Sequence, residues 1–235
     1  MPTVFITGAN RGLGLEFVRQ YSDDGWMVFA ACRNPDSATN LKELSGDIHI
    51  CTLDVSDSRQ IKALANRLKK ETIDVLINNA GIHGPYDKTA SFGNVDTEKW
   101  VEIIRVNVIA PLKVTEAFLD NVASSKRKTI VFISSRSGSI SERGLLPHHE
   151  HGGSIIYRSS KTALNSVAKN LAYDLFPRGV GVLVLHPGWV RTDMGGREAL
   201  IDKKTSVSGM RCIIEEFKLP DSGTFRNYDG EVIPW

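Results

Sequence analysis

The sequence predicts a doubly wound α/β fold, a parallel sheet covered by helices on both faces, and three observations carry that expectation. Short β-branched, apolar runs alternate with longer amphipathic segments; the runs are nearly continuous in apolar character; and a glycine-rich turn stands between the first run and the first amphipathic segment. Continuous apolar strands indicate a sheet buried on both sides, and right-handed crossovers lay a helix over each pair of parallel strands.

Residues 3–7 (Thr-Val-Phe-Ile-Thr) read as the first strand, followed by the glycine turn and a helix over about 13–23, whose period is marked by Leu15, Val18 and Arg19. Further strands are predicted at 26–31, 48–53, 74–78 and 129–134, and a sixth at 181–186 follows a long helix. No composition shift, low-complexity tract or internal repeat divides the chain, so residues 1–235 are expected to form a single domain. Two segments are expected to be loops bordering a substrate, 136–154 and 193–207, the second polar and rich in glycine and lysine.

At 41% hydrophobic and 24% charged, the 235 residues have the composition of a soluble globular protein. A net charge of +2 without a run of five like charges argues against nucleic acid or an anionic membrane surface as partner. No apolar stretch reaches 18 residues and no charged leader is visible, which predicts a cytoplasmic protein. Cys32, Cys51 and Cys212 are odd in number and unclustered, so neither a disulfide framework nor a zinc site is indicated. The histidines of Pro147-His148-His149-Glu150-His151 do not follow an established ligand spacing, and no metal is expected.

Two constellations point to chemistry on a small molecule. In Thr7-Gly8-Ala9-Asn10-Arg11-Gly12-Leu13-Gly14, Gly8 permits a tight turn, Gly12 lets backbone approach a pyrophosphate and Gly14 allows close packing of helix on sheet. The helix that follows offers free N–H groups and a positive dipole end to the phosphates. In Tyr157-Arg-Ser-Ser-Lys161, four-residue spacing puts a phenol and an ammonium on one helix face. A fixed cation in a poorly hydrated cleft favours the phenolate, so the expectation is a tyrosine whose pKa is lowered by its lysine toward neutral pH.

With the spacing Gly-x-x-x-Gly-x-Gly, the sequence resembles the short-chain dehydrogenase/reductase family, and the resemblance runs in family order from residue 3 to about 193. It implies a Rossmann-type domain. Asp54, with Val55 beside it, matches the family's adenine-contacting acid, and Asn78-Asn79-Ala80-Gly81 matches its NNAG element. Asn107, Ser135, Tyr157 and Lys161 match the catalytic tetrad, and His186-Pro187-Gly188-Trp189-Val190-Arg191-Thr192 matches the segment that grips the nicotinamide. The resemblance implies Tyr157 as proton donor, Lys161 as its partner on the nicotinamide ribose, Ser135 as the group holding the substrate oxygen, and Asn107 as holder of a relay water. Pro187, Gly188, Val190 and Thr192 would border the nicotinamide, and Asn10, Arg11 and Leu13 of the glycine turn would meet the rest of the cofactor. The phrases around 32–35, 157–165 and 229–235 are most similar to the C-factor and sniffer branch of carbonyl reductases.

Charge selects the cofactor. Where family members that use NAD carry an acid after the second strand, this chain has Cys32 and Arg33, and Arg11 offers a second guanidinium; Asp36 is a nearby competitor. Two guanidiniums suit the 2′-phosphate of NADP(H) better than a neutral ribose. Twenty-two positions separate Ser135 from Tyr157, more than in many relatives, so the intervening loop is expected to shape the substrate entrance, while Gly195-Gly196 would hinge the 193–207 lid.

The reading is an NADPH-dependent reductase of aldehydes, ketones or quinones. Its alternatives are an NADP-binding regulatory or developmental signalling protein of C-factor type and an epimerase or dehydratase. The resemblance further implies a homodimer or homotetramer, through Val108, Leu112 and Leu119 against the helix bearing Leu164, Val167, Ala168, Leu171 and Leu175.

Overall fold

The computed structural model describes residues 1–144 and 154–235. Seven strands form one sheet in the order β3-β2-β1-β4-β5-β6-β7, and every pairing is parallel. The strands are β1 (Thr3–Thr7), β2 (Met27–Cys32), β3 (Ile48–Thr52), β4 (Val75–Asn78), β5 (Thr129–Ile133), β6 (Gly181–His186) and β7 (Thr224–Asn227). The helices are α1 (Gly12–Asp23), α2 (Thr39–Lys42), α3 (Ser58–Arg67), α4 (Thr97–Ile104), α5 (Ala110–Ala123), α6 (Ile155–Asp174) and α7 (Lys203–Glu216). This is the predicted doubly wound, Rossmann-type domain.

Alternate residues of each strand feed two cores. Phe5, Phe29, Leu76, Ile130 and Val182 face α3, α5 and α6, with Phe5 and Phe118 centroids 4.5 Å apart. Val4, Ile6, Val28, Ile77 and Leu183 face α1 and α7. Burying each large apolar side chain contributes about 1.5–3 kcal/mol. The chain reverses direction between β1 and β4, so the carboxyl ends of those strands flank a crevice, where open α/β sheets bind ligands.

Three expectations are corrected. The 193–207 segment is a loop only as far as Asp202, whose carboxylate accepts the Thr205 N–H and caps α7; Val207 and Met210 then bury against the sheet. Val108 is buried within the chain and not on an outer face, while Leu164 and Ala168 bury in the core as the apolar stripe of their helix allows. Asn107 sits in a π-helical turn, Arg105–Ile109, between α4 and α5. Residues 145–153, including His148 and His151, lie outside the described residues. Among the described residues no three His, Cys, Asp or Glu side chains are grouped to hold a metal ion, and no helix is long and apolar enough to cross a membrane.

Candidate active site

At the carboxyl end of β1, Gly12 has a φ of 59°, and of the atoms around it only the Thr192 methyl comes within 4 Å of where a side chain would begin. Its backbone therefore lies open toward Thr192 across the crevice. Gly14 is the opposite case: a Cβ there would stand 2.1 Å from the Gly8 carbonyl oxygen, so only glycine lets α1 start this close to the turn.

The Asn78–Gly81 element braces that turn. Asn79 Nδ2 donates to the Thr7 carbonyl (2.8 Å) and more weakly to that of Gly8 (3.3 Å), while the Asn79 and Ala80 N–H groups both reach Thr7 Oγ1 at 3.0 Å. Asn78 is buried, with Nδ2 on Thr115 Oγ1. Asp54 is organised locally: its Oδ1 accepts the N–H and hydroxyl of Ser56, and Val55 packs on the core below. Arg33 is exposed just after β2, and Asp36 lies 3.9 Å from Lys42. Arg11 is exposed at the glycine turn, with its guanidinium 2.8 Å from the Asp193 carboxylate across the crevice.

The tetrad converges. Asn107 Oδ1 accepts the Ile82 N–H (2.9 Å), and its Nδ2 donates to the Ile82 carbonyl (2.8 Å) and to Ser160 Oγ (3.0 Å), tying the π-turn to α6. Ser135 follows β5, accepts the Ser137 N–H at 3.2 Å and lines the same cavity as Tyr157. Ser154 caps α6 by accepting the Tyr157 N–H at 3.1 Å, so the helix begins at the tyrosine's own amide. Lys161 lies one turn on, its Nζ 5.8 Å from the Tyr157 ring centre and donating to the Ile133 carbonyl at 2.9 Å.

That geometry overturns the expected titration. Burial pushes the Tyr157 phenol up to about 12, opposed by the polar Ser135 hydroxyl and reinforced by Tyr86. Lys161 does not reach the phenol oxygen, and burial draws its own pKa down to about 8. His186, at the end of β6, is pulled down to about 3 by burial and then by Arg136, and is a neutral imidazole at physiological pH.

Of these groups Ser135, Tyr157 and His186 line one cavity of about 1140 Å³ with Leu13, Pro187, Val190 and Thr192, while Asn107 and Lys161 stand behind its wall. Met194, from the 193–207 segment expected to border the substrate, also lines it, and so do His83 and Tyr86, which were not anticipated. The signal lay in His83-Gly84-Pro85-Tyr86, where a Gly-Pro turn directly after the Asn78–Gly81 element sets two rings three positions apart.

Comparison with known proteins agrees with this architecture. The family model for short chain dehydrogenase matches residues 2–200. The NADPH-bound carbonyl reductase from chicken fatty liver is 35% identical, superposes with a TM-score of 0.90, and is covered over 99% of its chain by 100% of this one. The carbonyl reductase Sniffer of D. melanogaster is 32% identical with a TM-score of 0.88, over 100% of both chains. C-signal of Myxococcus xanthus is 35% identical over 175 residues, 74% of this chain and 100% of its own.

Proposed function

The chain belongs to the short-chain dehydrogenase family, and from that premise we propose that it reduces the carbonyl group of an aldehyde, ketone or quinone to an alcohol at the expense of NADPH. One observation carries the reading: Ser135 and Tyr157 line a single cavity together with Leu13 of the glycine turn and Pro187, Gly188, Val190 and Thr192, with Lys161 one turn along the same helix as Tyr157. The open backbone at Gly12 and the exposed Arg33 fit a dinucleotide carrying a 2′-phosphate. The names of the chicken and fly relatives supply the same chemistry independently.

When bound, the nicotinamide supplies the hydride. Everything else is asked of the chain. A phenol held near 12 keeps its proton at neutral pH, so Tyr157 is an acid that releases it only to a strongly basic oxygen, as a developing alkoxide is. Ser135 hydrogen-bonds the same oxygen and stabilises its charge. The resemblance assigns the return of the proton to Tyr157 to a relay through Lys161 and a water held at Asn107; both side chains are buried beside Gly81. Arg33 selects the phosphate, and Leu13, Val190 and Thr192 exclude water from the reacting face. Further copies of the chain are proposed to complete a homodimer or homotetramer.

The test is NADPH absorbance followed against a panel of aldehydes, diketones and quinones. Turnover with NADPH well above that with NADH is expected. NADPH binding without turnover of any member would favour the regulatory reading, which the similarity to C-signal motivates.

A further inference from the structure

Three rings form a column that leads out of the site. His83 lies face to face with Tyr157, ring centres 4.3 Å apart and planes 24° from parallel, and with Tyr86, at 4.1 Å and 4°. Two rings cannot share one face, so the imidazole is sandwiched between the catalytic phenol and Tyr86. The Tyr86 hydroxyl in turn donates to the Met194 carbonyl at 2.7 Å, so the column ends on the 193–202 loop.

The column is held by fixed points on either side of His83. Asn107 fixes Ile82 through both its N–H and its carbonyl. Gly84 has a φ of 84°, a conformation that strains any residue with a side chain, and a Cβ there would also displace the Cδ1 of buried Ile103, so glycine favours the turn that brings ring 86 back onto ring 83. A small separate core of Ala90, Ile103 and Ile156 ties this excursion to α6 at the residue preceding Tyr157.

We infer that His83 is a positioning residue for the catalytic tyrosine: by stacking on the phenol it fixes the ring plane, and through Tyr86 it couples that plane to the loop at Met194. The inference rests on Tyr157 being the proton donor. Aromatic stacking is strong enough to matter here, since loss of one such pair corresponds to about a tenfold change in the population of a correctly placed ring.

The experiment uses the full chain with NADPH and a small aliphatic aldehyde, chosen because it makes no ring contacts of its own. His83→Ala and His83→Leu are expected to lower kcat about tenfold while the aldehyde KM and the NADPH Kd stay within about twofold, and His83→Phe to restore kcat to within about twofold of wild type. Leucine performing as well as phenylalanine, an unchanged kcat in the alanine variant, or an effect on KM alone would overturn the positioning role.

A wild-type protein without turnover would count against the proposed function, and the column is then judged by hydrogen exchange. The Gly195 and Gly196 amides are bonded to Thr192 Oγ1 and O, so their exchange reports opening of the loop. Tyr86→Phe, at a position 71% exposed, and His83→Ala are each expected to speed that exchange about fivefold. Unchanged exchange in both would overturn the coupling.

Discussion

Replacing Lys161 by methionine separates the chemistry of the site from its cost in stability. The side chain is 6% exposed, and burial draws its pKa from 10.5 to about 8. Because the folded pKa lies below the unfolded one, the unfolded chain binds more protons between the two values, and the wild-type protein gains stability as pH rises through that window. Below about pH 8 the full penalty is present, of the order of 3 kcal/mol. The bond from Nζ to the Ile133 carbonyl offsets about 1.5–3 kcal/mol of it. Lys161→Met is therefore expected to abolish reduction while leaving the cofactor-free protein as stable as wild type near pH 7, or up to about 2 kcal/mol more stable. Between about pH 7 and about pH 10 the balance should move toward wild type by about 2.5 kcal/mol, because only the wild type sheds a buried charge. Urea unfolding followed by circular dichroism at the two pH values measures both quantities. A difference between variant and wild type that is the same at both would refute the argument from burial.

Arg33→Glu should lower kcat/KM for NADPH about tenfold to a hundredfold and raise the NADH/NADPH ratio, measured with one substrate at saturation; an unchanged ratio would remove Arg33 from phosphate recognition. Ser154→Ala deletes the cap at the Tyr157 amide and should cost about 1 kcal/mol in urea unfolding together with a several-fold fall in kcat. If stability falls and kcat does not, the cap is separable from the placement of the phenol. Asn79→Ala releases the Thr7 and Gly8 carbonyls and should raise the NADPH Kd about tenfold by fluorescence titration; an unaltered Kd would show that the turn holds its shape without the brace.

The first six strands were legible because their runs are largely apolar, and all six lie within one residue of their observed ends. β7 escaped notice since Thr224-Phe-Arg-Asn227 is a short strand with a charge in it, whose one strand partner is β6 and whose outer side meets the segment at Val232. The start of α7 was hidden for a related reason: its first residues are polar, and the apolar stripe through Met210, Ile213 and Ile214 lies beyond the segment that reads as loop. At the site, spacing alone put Tyr157 and Lys161 on one face of α6. It could not say that the ammonium would turn to the Ile133 carbonyl, a contact between residues 28 apart, nor that Arg11 would meet Asp193 across 182 positions. The ring column was missed because stacking depends on a turn at Gly84 whose φ of 84° is not visible in the sequence.

Tyr157→Phe tests the central claim most directly, since it deletes one oxygen and leaves the ring packed against His83. Initial rates of NADPH oxidation with a reducible aldehyde or diketone, set beside an NADPH fluorescence titration, give both parts of the answer. Proton donation by Tyr157 predicts a loss of kcat of at least about a hundredfold with the NADPH Kd within a few-fold of wild type. Turnover retained within a few-fold in the variant would contradict it.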